Sequence, residues 1–371
     1  MFLAGRLIDR FGVRIMLATG CVLLGAAALW MTTVNHPAQA YVGIAALRTF
    51  GQGTLPLVAT TMVALWFLRK RGKTIAIASL GAALSQAVFP LLALYLISRF
   101  GWRNAWIGLA LVVWVVLLLP AILLVRRDPE SVGLQPDGVP LPTGTGMRSG
   151  KAPGRVETDF TLKEALRTKA FWLLLAAGMA MPLILTGLTL HHVPLMEEKG
   201  VSAAIGAAAF SLFGPMMLVG NFAGGLLCDR IQNRYVLATG QLLYMGTMLF
   251  TFAISQPWHA FLYMTFSGVS FGIIMTTNAV IWPNYFGRSE LGSIRGLSAT
   301  AGIGFSALGA LPFGFVFDMT GSYDKAILIL LVLPVICAVA ALLAVKPKKR
   351  SEKAVAGSVT QIAPPAPGER T

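Results

Sequence analysis

The amino-acid sequence predicts an all-α membrane protein in which ten spanning helices form two related bundles. Hydrophobic residues make up 56% of the 371-residue chain and charged residues only 12%, which is about half the charged share of a typical soluble domain. A chain with so few charges lacks the polar shell that a soluble fold needs, so most of its surface must face lipid. Ten apolar segments and one internal repeat complete the prediction.

Ten segments have the ~20 mainly apolar residues that a helix needs to cross a bilayer. Their residues are apolar on all faces, as is expected of helices that are buried in lipid. The segments are 14–34, 40–67, 74–98, 104–125, 170–193, 204–227, 235–255, 259–282, 293–317 and 325–345.

The distribution of Lys and Arg predicts the orientation of these spans. With the N-terminus in the cytoplasm, the cytoplasmic segments hold 25 of the 30 basic residues. Four basic residues lie in external connections (Arg99, Arg103, Lys199 and Lys325), and Arg48 alone lies within a span. This asymmetry predicts an inner-membrane protein with both termini in the cytoplasm. It also accounts for the net charge of +15 without a nucleic-acid partner.

Composition divides the chain into four parts. We expect a monomer in a lipid bilayer, without a cofactor. We also expect no metal site, because the three cysteines lie in or beside apolar runs and lack metal-ligand spacing. The parts are an N-terminal bundle at 1–125, a flexible cytoplasmic linker at 126–168, a C-terminal bundle at 169–346 and a disordered cytoplasmic tail at 347–371.

The first half of the chain recurs in the second half at a constant offset of 220 residues. Residues 5–23 and 225–243 are identical at ten of 19 positions, including Asp-Arg and a later Arg in register, and the same offset pairs Gly72 with Gly292. Parallel repeats of this kind are typical of transporters with two bundles around a central site. Two spans precede the repeat in the second half, and their partners would begin near 170 − 220 = −50. We therefore expect a twelve-helix plan of which ten helices are present, with spans one and two of the first bundle missing.

The segment Gly5-Arg-Leu-Ile-Asp9-Arg10-Phe-Gly12-Val-Arg14 resembles the loop motif G-x-L-x-D-R-x-G-x-R of the major facilitator superfamily. The resemblance implies the fold of that family and a gate between inward- and outward-facing states. Small Gly5 permits close helix approach, and Asp9 can face a helix N-terminus, where the dipole favours a carboxylate.

We expect Arg10 and Arg14, four residues apart, to share a helical face and to pair with acids or lipid phosphates. Asp229 and Arg230 repeat part of the motif. The alternative is an ordinary positive-inside loop.

Arg48-Thr-Phe-Gly51-Gln-Gly53 resembles the second motif of the same family, R-x-x-x-G-x-G, in a shortened form. An Arg at the centre of a span costs ~2.5–3.5 kcal/mol on insertion scales, so it is usually paired or functional. We expect Arg48 to contact an anionic substrate or to modulate a nearby proton site. The alternative is an Arg that reaches outward to the membrane surface or bonds a backbone carbonyl.

The segment Trp66-Phe67-Leu-Arg69-Lys70-Arg71-Gly72 and the small residues that follow it resemble the fifth-helix signature of the monocarboxylate transporter and oxalate/formate antiporter branch. This resemblance implies an organic-anion substrate. The chain departs from the branch in the eighth helix, where Asn221 and Met217 replace an Arg and an acid. The anion-binding residues of the branch therefore do not transfer one by one.

Polar residues at depth are candidates to line the substrate path, or else to bond between helices for ~0.6 kcal/mol each on average. No carboxylate lies in mid-membrane, so a proton-coupling acid would have to come from the missing helices. His191 and His192, near the end of their span, either titrate or serve as interface residues. The candidates for the path, besides Arg48, are Gln52, Gln86, Asn221, Ser270 and Asn278.

Three functions are compatible with the sequence. The first is secondary transport of a small organic anion such as a monocarboxylate, with a proton as a candidate coupling ion. The second is efflux of a neutral or cationic compound, and the third is a non-transporting or inactive truncated membrane protein. An enzyme is not expected, because the sequence has no HExxH motif and no nucleophile elbow.

Overall fold

The structure, a computed structural model, describes residues 1–138 and 159–348, and within this part it leaves the side chains of residues 83, 86 and 87 undescribed. All regular structure described is helical. In the first half the helices are α1 (Phe2–Phe11), α2 (Val13–Trp30), α3 (Pro37–Leu47), α4 (Leu55–Trp66), α5 (Arg71–Val113) and α6 (Leu119–Leu123), with π-helical segments at Arg48–Thr54 and Trp114–Leu118.

The second half carries twelve described helices, and in several places two successive helices form one span. They are α7 (Leu162–Leu166), α8 (Lys169–Ala177), α9 (Ala180–Leu190), α10 (His192–Glu198), α11 (Ala203–Phe210), α12 (Phe213–Arg230), α13 (Asn233–Phe250), α14 (Pro257–Phe286), α15 (Leu291–Leu308), α16 (Ala310–Thr320), α17 (Tyr323–Leu330) and α18 (Val332–Leu343).

Eight segments of the described chain are long and apolar enough to cross a membrane, whereas the sequence predicted ten. The difference lies in the first half. Predicted span 40–67 is built of three contiguous pieces, because a π-helical segment separates α3 from α4. The eight segments are Val13–Thr33, Val88–Leu123, Lys169–Leu190, Ala203–Arg230, Asn233–Ala253, Pro257–Phe286, Leu291–Thr320 and Tyr323–Leu343.

The predicted spans 74–98 and 104–125 are joined in the 43-residue α5, which is broken at Gly101. Gly101 has a φ of 76°, a conformation that glycine adopts without steric cost. The chain therefore reverses there without a longer loop, and the predicted division between the two spans coincides with this break.

Helices α3 and α14 begin in the same way, 220 residues apart (257 − 37 = 220). Pro37 is the first residue of α3 and Pro257 the first residue of α14. A proline fits this position because the N–H that it lacks would have no partner inside the helix. His36 Nδ1 accepts the N–H of Ala38 at the first of these starts. The repeat thus fixes where equivalent helices begin.

The second half holds the larger apolar core. Phe171 and Phe286 at its centre are fully buried, and the ring of Phe171 lies 5.4 Å from that of Trp282 in an edge-to-face arrangement. Edge-to-face pairs add to the stabilisation that burial gives. The first half has a smaller core of Ile8, Val13, Met16, Leu57 and Val58.

The predicted linker is folded at both of its described ends. Residues 126–138 form two short 3-10 turns, and the carboxylate of Asp137 accepts the N–H groups of Leu68 and Arg69. At the other end Thr161 and Glu164 form a capping box that starts α7. Residues 139–158 of the linker, and residues 349–371 of the predicted tail, lie outside the described residues.

Candidate gate and substrate path

We call the end of the molecule where α1 meets α2, α4 meets α5, α12 meets α13 and α14 meets α15 the basic end. Asp9, in the last turn of α1, caps the start of α15 at this end. The N–H of Gly292 donates to Asp9 Oδ1 at 2.8 Å, and the N–H of Ser293 donates to Oδ2 at 2.7 Å. The first N–H groups of a helix have no partner inside it, and the helix dipole favours a carboxylate there. Asp9 therefore joins the two halves; we call this the first capping contact.

Asp229, at the end of α12, makes the equivalent contact in the opposite direction. Its Oδ1 accepts the N–H of Gly72 at 3.0 Å and its Oδ2 accepts the N–H of Lys73 at 3.1 Å, at the start of α5. The residues obey the offset of the repeat (229 − 9, 292 − 72 and 293 − 73 are each 220). This second capping contact makes the junction between the halves two-fold symmetric.

Glycines let the backbones touch at both capping contacts. A Cβ on Gly292 would lie 2.5 Å from the carbonyl oxygen of Gly5, and a Cβ on Gly225 would lie 2.5 Å from that of Gly72. Real Cβ atoms do not approach so closely, so both junctions require residues without side chains. Gly5 thus lies where the motif predicts close helix approach.

Asp9 is partly buried, and this burial raises its pKa above the ordinary value. Hydrogen bonds from the side chain and backbone of Ser293 and from the backbone of Gly292 act in the other direction and lower it. The donors on α15 therefore offset part of the desolvation of the carboxylate.

Arg10 and Arg14 do not share a helical face, and that expectation is wrong. Gly12 has a φ of 82° and separates α1 from α2 between them. The rule of four-residue spacing holds only within one continuous helix. Arg14 Nη2 donates to the carbonyl oxygen of Ile122 at 2.7 Å, and Arg10 is exposed, with its guanidinium 5.4 Å from the Phe11 ring centre.

Two further arginines join the halves at the basic end, and the sequence did not single out either role. Arg71, only 2% exposed, donates from Nη2 to the carbonyl of Ala64 at 2.9 Å and from Nη1 to Asn284 Oδ1 at 2.7 Å. Arg288 Nη1 donates to the carbonyl of Leu65 at 3.0 Å. Both cations thus lie at the C-terminus of α4, where the helix dipole favours positive charge. Arg230, the last residue of α12, is exposed.

Arg48 and Gln52 lie on the π-helical segment Arg48–Thr54 and are both exposed. Thr54 Oγ1 donates to the carbonyl of Thr49 at 3.0 Å, five residues earlier, which supports the wider turn. Short π segments inside helices occur frequently at functional sites. Arg48 makes no hydrogen bond or ion pair with the described residues, so its guanidinium is available to a ligand.

The other candidates for the path do not join Arg48. Asn221, 1% exposed, accepts a 2.9 Å hydrogen bond from Thr276 Oγ1 inside the second half. Ser270 donates to the carbonyl of Phe266 within its own helix, so it packs rather than lines a path. Asn278 is half-buried, near the break between α8 and α9 at Gly178. Gln86 lies on α5, but its side chain is outside the described part.

The two histidines lie where α9 meets α10. His191 Nδ1 is 3.2 Å from the hydroxyl of Tyr323, and His192 Nε2 is 2.9 Å from the carbonyl oxygen of Gly206. His192 also stacks on Tyr263, with ring centres 6.0 Å apart. Both rings are therefore part of the packing of the second half.

Arg295 is a partly buried cation with a fully buried Nη1, although its place in the sequence groups it with the cytoplasmic charges. It lies in the second turn of α15, inside the segment Leu291–Thr320 that is apolar enough to span a membrane. The expectation that Arg48 is the only basic residue within a span is therefore wrong. A count of charges in loops assigns such a residue to the loop, because it lies only one turn inside the helix. Its position within the span is evident only from its burial in the structure.

Known proteins share both the sequence pattern and the fold described above. The family model described as Major Facilitator Superfamily matches residues 1–310 and, in a second match, residues 193–368. The chain belongs to this superfamily. The probable sulfoacetate transporter SauU of Cupriavidus necator is 26% identical over 345 residues, which cover 88% of this chain and 77% of SauU. The hexuronate transporter of Bacillus subtilis is 23% identical over 371 residues, which cover 93% of this chain and 82% of that protein.

A solved structure has the same fold. The crystal structure of the Escherichia coli fucose:proton symporter FucP matches this chain with a TM-score of 0.68 at 16% sequence identity. The match covers 93% of this chain and 87% of FucP. The predicted major facilitator fold is confirmed. The relatives are transporters and not enzymes, so the chain is a multi-pass membrane transporter of a small solute.

Proposed function

We propose that this chain is a secondary active transporter that moves a small organic anion across the inner membrane by alternating access. The observation that carries the proposal is Arg48, an exposed guanidinium without a protein partner among the described residues, on a π-helical segment. Arg forms planar, two-pronged hydrogen bonds with carboxylates and similar oxyanions. Sulfoacetate and hexuronate, named for two relatives, are anions of this class.

In this proposal the two capping contacts form the gate at the basic end. Each contact is a carboxylate with two amide donors at 2.7–3.1 Å, and both must break when the halves separate there. Gly5, Asp9, Gly12 and the partial repeat at Asp229 supply or shape these contacts. Arg10, Arg14 and Arg230 line the same end and hold the cytoplasmic orientation through their charge.

The topology proposed with this function keeps both termini in the cytoplasm and the basic end facing it. Residues 1–125 and 169–346 act as the two moving bundles. The basic triplet before Gly72 favours the monocarboxylate and oxalate/formate branch. Coupling to a proton stays a prediction, because the described helices place no carboxylate at mid-depth.

Substitution of Arg48 tests the anion contact. In proteoliposomes that contain the purified protein, Arg48→Ala should raise the KM for sulfoacetate or glucuronate at least tenfold, since the loss of a charge-assisted hydrogen bond of ~1.5–3 kcal/mol corresponds to tenfold or more. Arg48→Lys should retain part of the uptake, because lysine keeps the positive charge but lacks the paired N–H donors of the guanidinium.

Arg99→Ala is the matched control, because Arg99 is also exposed but lies at the opposite end of the molecule. It should leave the KM unchanged. Wild-type KM in Arg48→Ala would exclude Arg48 as the anion contact. Absence of uptake of every organic anion by the wild-type protein would contradict the substrate class.

One observation favours a second function, the efflux of a neutral or cationic compound. Asn221 and Met217 on α12 occupy positions where the anion-transporting branch carries charged residues, and both are buried among α14 neighbours. A growth screen against toxic neutral and cationic compounds, with and without the gene, distinguishes this function from anion transport.

A further inference from the structure

Arg295 is a partly buried cation that has no ion pair among the described residues. Its side chain is mostly buried, and Nη1 has neither exposed surface nor a hydrogen-bond acceptor in the described part of the chain. No acidic side chain there forms an ion pair with it. Arginine stays protonated in proteins, so this charge cannot be removed by deprotonation. A buried donor on a charged group that has no acceptor is destabilising and therefore calls for an explanation other than packing.

The internal repeat shows that the fold does not require a charge at this position. Local equivalence is well defined, because Gly72 and Lys73 meet Asp229 as Gly292 and Ser293 meet Asp9. By the same offset the equivalent of Arg295 is Ile75 (295 − 75 = 220).

Ile75 is 7% exposed and packs in an apolar cluster with Cys228, Val236 and Ile273. The same slot thus holds an aliphatic side chain in one half and a guanidinium in the other.

The helix geometry places Arg295 at the junction between the halves. On α15 the fully buried Ile294 faces the core of the second half, and Gly292 and Gly296 contact α1. At 100° per residue, Arg295 lies on the flank between these two faces. Helix α15 also packs against α4.

The π-helical segment comes close to the same flank. The side chain of Met1 lies against Gly53 of that segment, while its carbonyl oxygen would be 2.9 Å from a Cβ on Gly296. Met1 thus lies between the segment that carries Arg48 and Gly296, the residue next to Arg295. Arg48 on the first half and Arg295 on the second, neither with a hydrogen bond or ion pair among the described residues, thus belong to elements that meet between the halves.

We infer that Arg295 binds the oxyanion group, a carboxylate or sulfonate, of the transported solute at the inner end of the path. Its planar guanidinium forms two parallel hydrogen bonds with such a group, which supplies the acceptor that Nη1 lacks. Arg48 on the first half and Arg295 on the second then give the anion successive cationic contacts. This inference rests on the proposed anion transport and adds a specific residue to it.

The variant Arg295→Ile provides a sharp test, because the repeat shows that isoleucine fits this slot. Without anion, Arg295→Ile should elute as the wild-type protein in size exclusion and should melt at the same or a higher temperature. The wild-type protein should melt at a higher temperature in sulfoacetate or glucuronate, and the variant should lose this shift. Its KM for uptake should rise at least tenfold.

Arg295→Gln and Arg295→Lys complete the set. The glutamine variant should behave as Arg295→Ile, and the lysine variant should keep a smaller melting shift. Arg99→Gln, at the opposite end, is the control and should bind as the wild-type protein does.

The outcomes separate the inference from the function on which it rests. A folded Arg295→Ile or Arg295→Gln variant with a wild-type melting shift and KM overturns the inference alone. A variant that binds the anion normally but takes up none also overturns it, because Arg295 would then act in gating. A wild-type protein that neither binds nor takes up any organic anion overturns the proposed function, and the inference with it.

Discussion

Replacement of both Asp9 and Asp229 by alanine is expected to open the basic end and to lower transport about a hundredfold. Each carboxylate accepts two N–H groups at a helix start, and a charged cap of this kind contributes ~1–2 kcal/mol. A difference of ~1.4 kcal/mol is a tenfold change in an equilibrium. Each single variant should thus shift the closed-to-open ratio about tenfold.

The two contacts lie on different helices and share no residue, so their effects should add in the double variant. Uptake into proteoliposomes measures the loss of transport. Asp318→Ala is the control, since Asp318 is exposed at the opposite end and should leave uptake unchanged. Single variants that retain full uptake, or a double variant no worse than either single one, would contradict the role of the contacts as a gate.

Introduction of a side chain at the glycine junctions should have an equally large effect. In Gly72→Leu the new Cβ would overlap the carbonyl oxygen of Gly225, and in Gly292→Leu it would lie 2.5 Å from that of Gly5. Backbone cannot move aside as a flexible side chain can, so the halves would be held apart. Both variants should lose more than 99% of uptake, which corresponds to ~2.7 kcal/mol or more against closure.

Each variant has a matched control in its own helix. A Cβ on Gly81 of α5 or on Gly302 of α15 would meet no other atom within 4 Å, so Gly81→Leu and Gly302→Leu should transport normally. Substitution at the paired positions should have the same effect in either half because the repeat makes the junctions equivalent. Normal uptake by Gly72→Leu, or equal loss in Gly81→Leu, would show that close approach of the backbones is not what closes the gate.

The internal repeat predicted which residues are equivalent, but not which residues touch. It paired Asp9 with Asp229 and Gly72 with Gly292. In the structure each aspartate accepts the N–H of the glycine that lies in the other half. Contacts cross in this way because two similar halves face each other about an approximate two-fold axis. Sequence alone gives equivalence within the halves, and the crossing follows only from their assembly.

Other parts of the candidate site depended on information that sequence patterns do not carry. The four-residue spacing of Arg10 and Arg14 predicts that they share a helical face. The positive φ of Gly12 ends one helix between them and starts another. Burial distinguishes Arg295 and Arg71 from neighbouring cations that have similar sequence surroundings. The role of Arg48 stays a prediction from its motif; the structure adds that this residue is exposed on a π-helical segment.

The distance between the halves at the basic end reports whether the two capping contacts hold that end closed. Spin labels at Lys73→Cys and Gln232→Cys, both exposed positions on opposite halves, would be introduced after replacement of the three buried cysteines. In the protein with both capping contacts, double electron–electron resonance should give a dominant short distance. With Asp9→Ala and Asp229→Ala, a longer distance should become the main population, whereas Asp318→Ala should leave the distribution unchanged. An unchanged short distance in the double variant would show that these contacts do not close the basic end.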